Sequence, residues 1–122
     1  MLAWLLDLET LRGHLSVTGV QGRGPSDHGP QFDQQPIEVA AMADACWRAY
    51  SLTGDEVWAR GVALAAAWFA GENDIGLRMY DAVSGGGFDG LQPDSVNLNQ
   101  GAESTLALIS TMQRASAFVA VT

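Results

Sequence analysis

Apolar side chains recur at helical spacing in four stretches of this chain, and the pattern breaks down in two long polar stretches between them. Residues 2–12 repeat Leu2, Leu5, Leu6, Leu8 and Leu11 and stop near Gly13. Residues 36–53 put Val39, Met42 or Ala43, Cys46 and Tyr50 on one face, with Asp33 as cap and Pro36 in the first turn. Thr53-Gly54-Asp55 reads as a stop and a restart: Gly54 takes the left-handed position after one helix and Asp55 caps the next. Residues 55–70 then carry Val57, Gly61, Leu64 and Trp68 as a stripe that Trp58, Ala65 and Phe69 widen, and Gly71 ends it. The last helix spans residues 102–119, with Thr105, Leu108, Met112, Ala115 and Val119 inward.

The connection at Gly54-Asp55 is so short that the second and third helices must form a tight antiparallel hairpin. By contrast, residues 13–32 are broken by His14, Gly19, Gly22, Gly24, Pro25, Gly29 and Pro30, with a short strand expected at Leu15–Val17. Residues 71–100 hold Gly85-Gly86-Gly87, across which Leu77–Tyr80 can pair with Gly87–Phe88. The expected fold class is all-α: helical hairpins with long polar loops and room for a small β-hairpin, in one domain over residues 1–122. Loops this long are unusual in compact domains, and loops held by a rigid scaffold commonly carry binding residues.

Two helix entrances carry more polar side chains than capping requires. Asp94 to Thr105 holds Asp94, Asn97, Asn99, Gln100, Glu103 and three hydroxyls in the loop and first turn of the last helix. Asp33-Gln34-Gln35-Pro36-Ile37-Glu38 opens the second. Amides suit polyols because each offers donors and an acceptor. Gln34, Gln35, Asn97, Asn99 and Gln100 are therefore candidate hydroxyl ligands, and Asp33, Glu38, Asp89 and Glu103 candidate catalytic carboxylates. The competing reading makes Asp33 and Asn99 helix caps, Glu103 a dipole partner and Asp89 a turn residue. Glu38 either faces inward, where desolvation would raise its pKa and suit it to general acid work, or lies on a solvated face. The sugar-site reading requires both entrances to open on one hollow.

Composition narrows the alternatives. The net charge is −8, and all six basic residues are scattered arginines, which argues against nucleic acid. The triple glycine lacks the Lys and Ser/Thr of a phosphate loop. Cys46 lies in an apolar helical pattern and reads as a buried thiol; His14 and His28 have no partners at metal-ligand spacing, so neither metal nor cofactor is expected, and His14 should pack or bond locally. The tryptophans Trp4, Trp47, Trp58 and Trp68 fall on helical stripes and read first as core. The apolar opening is interrupted by Asp7 and Glu9 and lacks a basic leader, and nothing approaches a membrane span, so a cytoplasmic protein without membrane contact is expected.

The strings FDQQPIEVAAMADACWRAY (32–50), TGDEVWARGVALAAAWFAGENDIGLRMYDAVSGGGFDGLQPDSVNLNQGAESTLALI (53–109) and GHLSVTG (13–19) resemble a segment of certain bacterial proteins. In those proteins a glycosyltransferase domain is followed by a six-hairpin glycosidase-like α/α toroid, and the segment is the toroid's tail. The resemblance implies a partial toroid here, because a complete one needs more helices than the chain supplies, and a carbohydrate-linked role with a pocket at the toroid mouth. The first functional expectation is therefore a carbohydrate-active or carbohydrate-binding module for a sugar or oligosaccharide, with weak or incomplete glycoside processing. The second is a non-catalytic helical interaction module, a homo-oligomer and most simply a dimer, whose polar motifs only cap helices.

Overall fold

The computed structural model describes residues 1–24 and 26–121, with side chains to 118. It is mostly helical: α1 (Leu2–Glu9), α2 (Pro36–Thr53), α3 (Glu56–Ala70) and α4 (Ala102–Val121), with strands β1 (Gly90–Leu91) and β2 (Val96–Asn97) between the last two helices. No described helix is long and apolar enough to cross a membrane.

The α2–α3 hairpin follows from its local signals. Pro36 opens α2 and is buried, and the extended Gln35 before it is the N-cap residue. Gly54, at φ 68°, closes α2 by donating its N–H to the Tyr50 carbonyl; the Asp55 carboxylate then accepts from the Val57 N–H at 3.0 Å and starts α3. Gly71, at φ 113°, ends α3. The expected faces are buried in part: Val39, Met42, Ala43 and Cys46 meet Ala65, Trp68, Phe69 and Val62, the last missed by the sequence stripe, while Tyr50, Val57, Trp58 and Leu64 are half-buried. Gly61 lies against Cys46 of α2. A Cβ there would lie 2.6 Å from Cys46 Sγ, so the packing needs a glycine that helix propensity alone would disfavour.

α4 packs across both helices of the hairpin. Its buried face is Ser104, Ala107, Leu108 and Thr111, with Met112, Ala115 and Phe118 half-buried; Thr105 is half-exposed, and Val119 lies outside the described side chains. Phe118 meets Trp47 and Tyr50 edge-on, and Arg114 lies over Trp47 while donating to Asp44 at 3.1 Å.

The expected pairing of Leu77–Tyr80 with Gly87–Phe88 reduces to one isolated bridge, Tyr80↔Gly87, with the Phe88 N–H donating to the Met79 carbonyl. Beside it, β1 and β2 pair antiparallel, with Leu91 opposite Val96, and Gln34 adds a bridge to the other side of Leu91. The triple glycine has a packing cause. Gly85 turns at φ 78°, Gly86 presses on the Gln100 side chain, and a Cβ on Gly87 would lie 2.6 Å from the Ser104 carbonyl oxygen.

Several expectations are corrected. α1 stops at Glu9, well before residue 12: the Thr10 hydroxyl donates back to the Leu6 carbonyl, the chain turns through Gly13, and Leu11 is exposed. Leu15–Val17 is not a strand; Leu15 and Val17 are buried from an irregular segment tied to α1 by the Ser16 N–H and the Glu9 carbonyl. Asp33 is not the cap of α2, because Pro36 fixes the helix start and leaves Gln35 at that position without a side-chain capping bond. Trp4 is not core: it is 61% exposed, while Trp68 is fully buried. Pro25, expected as a loop breaker, lies outside the described residues.

Candidate functional site

The antiparallel hairpin brings the start of α2 and the end of α3 to one end of the molecule, where both long loops also lie. The order of that end comes from a buried polar knot. The side chain of Asp74, 3% exposed, accepts from Gln34 Nε2 at 2.6 Å and from the Ser16 hydroxyl at 2.5 Å. His14 Nε2 lies 2.8 Å from its other oxygen, and Arg12 Nη1 is 3.8 Å away. Gln34 is fully buried: its amide oxygen accepts from Trp68 Nε1 at 3.1 Å, and its amide nitrogen also donates to the Gln31 carbonyl. Burial pushes the Asp74 carboxyl up, but the bonds from His14, Ser16 and Gln34 and the His14 charge outweigh it and hold the group below its ordinary range. The bond of His14 is thus to a residue far along the chain, not a local one.

Gln34 therefore holds the core together and is not a surface ligand. Asn73 does the same for the following loop. Its amide nitrogen donates to the carbonyls of Trp68 and Leu77, and its oxygen accepts from the Ile75, Gly76 and Leu77 N–H groups.

The α4 entrance is also committed to structure. Asp89 Oδ1 accepts from the Gly101 N–H at 2.8 Å and so closes the head of α4 from a distant loop, a role the sequence assigned to Asn99. Asn97 Oδ1 accepts from the Asn99 N–H in a local turn. Gln100 accepts from the Ser84 hydroxyl at 2.7 Å and donates to Asp81, pinning the glycine loop. Backbone bonds from Val83 and Ser84 hold the Asp81 carboxyl below its ordinary range, with Gln100 adding to them. Glu103 is exposed.

The α2 entrance is different. Gln35 and Glu38 are both exposed, and both line one surface concavity with Thr18, Gly19, Val20 and Gly22. Asp33, Asp89, Asn97, Asn99, Gln100 and Glu103 do not line it, so the expectation that both helix entrances open on one hollow is corrected: the α4 entrance is spent on structural bonds, and the α2 entrance alone faces this concavity. Its glycine-rich wall comes close to the chain before α2: a Cβ on Gly19 would lie 2.7 Å from the Phe32 carbonyl oxygen, and the Val20 N–H donates to the Asp33 carbonyl at 3.1 Å. Behind the wall, Glu9 is only 4% exposed and accepts both the N–H and the hydroxyl of Thr18, each at 2.9 Å. Burial raises the Glu9 pKa; Thr18 and the Arg23 charge oppose that rise, and the charge of Glu38 adds to it. Arg23 continues the chain of bonds, with Nε to the Thr18 hydroxyl and Nη1 to the carbonyls of Asp27 and Gly29.

Of the residues the sequence singled out, the structure thus brings Gln35 and Glu38 together at an open site. It places Gln34, Asp89 and Gln100 in structural bonds. Sequence reasoning missed Glu9, Thr18 and Asp74. Glu9 and Asp74 left one signal, as acids in or beside apolar runs, but neither has its partner within helical spacing. Among the described residues, no three His, Cys, Asp or Glu side chains lie close enough together to hold a metal ion. A scan against protein-family models finds no match for this chain, and a search of curated proteins finds no relative.

Proposed function

We propose that this chain is a carbohydrate-binding module that takes a sugar at the α2 mouth. The observation that carries the reading is the convergence of exposed Gln35 and Glu38 on one concavity walled by the Thr18–Gly22 segment. An exposed amide and an exposed carboxylate offer donors and acceptors to hydroxyls, and a rigid scaffold under them limits the ordering cost of binding. The Asp74 knot and the Glu9–Thr18 bonds supply that rigidity. Of the four carboxylates expected to act chemically, Glu38 alone lines the concavity, whereas glycoside processing generally uses a pair. The reading therefore commits to binding. It includes the toroid resemblance: a hairpin with a short turn at one end and long loops at the other is the unit such toroids repeat.

A saturation-transfer screen of mono- and oligosaccharides tests it. Transfer to at least one sugar, abolished by Glu38→Gln and reduced by Gln35→Ala, is the expected result; no transfer to any sugar overturns it.

A second reading, self-association, is favoured by Leu106 and Ile109, one turn apart on α4 and 65% and 45% exposed. Sedimentation velocity tests it, with a dimer that Leu106→Glu dissociates as the supporting result and a monomer at all concentrations as the contrary one.

A further inference from the structure

The α2 mouth has a neighbour across Thr18. Trp4, Leu5 and Leu8 of α1 line a second concavity with Thr18, Arg23 and Gly24. Trp4 and Leu8 stand one turn apart on the same helix face, and Leu5 and Leu8 are half-buried, so they form an apolar floor beside an indole that is 61% exposed. Arg23 is fixed as the polar wall by its bonds to Thr18, Asp27 and Gly29. Thr18 lines both concavities and is itself held from beneath by Glu9.

Resting on the binding reading above, we propose that the Trp4–Leu8–Arg23 concavity is a second subsite that seats the next ring of the same saccharide, so that the ligand is a disaccharide or longer. A pyranose has one face of C–H groups and a rim of hydroxyls. The indole and leucines match the face, and the Arg23 guanidinium and Thr18 match the rim. That Thr18 lines both concavities is what selects this occupant. The exposed Leu106 and Ile109 of α4 line neither concavity.

Isothermal titration of the full chain with cellobiose, maltose and mannobiose, and with glucose and mannose, tests the proposal. At least one disaccharide should bind more tightly than its monosaccharide. Trp4→Ala should weaken the disaccharide by about tenfold, to the level of the monosaccharide, and leave the monosaccharide unchanged. Trp4→Phe, which keeps a ring, should lose less, and circular dichroism melts of both variants should match the parent because Trp4 is exposed. Disaccharide binding that Trp4→Ala leaves intact but Glu38→Gln removes overturns the second subsite while the α2-mouth reading stands. Absence of binding to all five sugars overturns both. A change in sedimentation with Trp4→Ala, without a change in affinity, makes the face a contact between copies and overturns the subsite.

Discussion

Glu9, the last residue of α1, accepts the backbone N–H and the hydroxyl of Thr18 through a single carboxylate oxygen while almost fully buried. Its position has a pH signature. Burial raises its pKa in the fold, so the folded state holds this proton more tightly than the unfolded chain does. The stability it contributes is complete below the unfolded-state value and is lost as pH rises through the folded one. Glu9→Gln removes the buried charge and keeps an acceptor. Relative to the parent, it should be more stable at pH 7 than it is at pH 4, measured by urea denaturation at both. An equal difference at both pH values would contradict the assignment.

Asp74 has the opposite sign. Its carboxyl is held below its ordinary range, so its contribution is present above the unfolded-state value and lost as pH falls through the folded one. Asp74→Ala also strands Gln34, Ser16 and His14 donors around a buried site. It should cost about 3 kcal/mol or more at pH 7, and less at pH 3, by the same denaturation measurement.

The α2–α3 contact predicts a coupled pair. Gly61→Ala should destabilise by about 1–3 kcal/mol although alanine is the better helix former, because the new methyl meets Cys46 Sγ. In a Cys46→Ala background the same change should cost markedly less, with a residual cost from Leu6 Cδ2 and the residue-46 Cβ, each 3.3 Å from the new methyl. Additive losses in thermal melts of the two single variants and the double would show that the contact is not the cause.

Burial pushes the Cys46 thiol up to about 11. Alkylation by iodoacetamide at pH 8 should therefore be slow in the folded protein and should follow the unfolding rate when urea is added. Rapid labelling in the absence of denaturant would place the thiol at the surface.

At the head of α4, Asp89→Ala should cost about 1 kcal/mol, the usual effect of a lost cap, whereas Glu103→Gln should leave the melting temperature unchanged. The reverse ranking would return Glu103 to the structural role now held by Asp89.

The parts of the fold legible in the sequence are those whose causes are local. Gly54, Asp55 and Gly71 mark the hairpin because a left-handed turn and a cap need particular residues at particular places, and the structure uses all three in that way. The apolar spacing overextends α1 because Leu11 continues it, whereas the competing Thr10 hydroxyl bond and the turn at Gly13 end the helix early. The site was half legible. Polar crowding at a helix entrance marks bonding capacity but not its partner: Gln35 and Glu38 face an open concavity, while Gln34, one residue before Gln35, points into the core toward Asp74 and Trp68. Likewise Trp4 and Trp68 share a helical stripe pattern, and only packing decides that one is exposed and the other buried. Glu9 and Asp74 take their meaning from Thr18, His14 and Ser16, contacts that no periodicity encodes.

The proposed sugar site is the α2 mouth and not the head of α4. Amide chemical-shift mapping of the labelled chain during titration with the tightest sugar from the saturation-transfer screen tests it most directly. Shifts concentrated on Thr18, Gly19, Val20, Gln35 and Glu38 are the predicted result; shifts centred on residues 97–103, or none at saturating sugar, would contradict it.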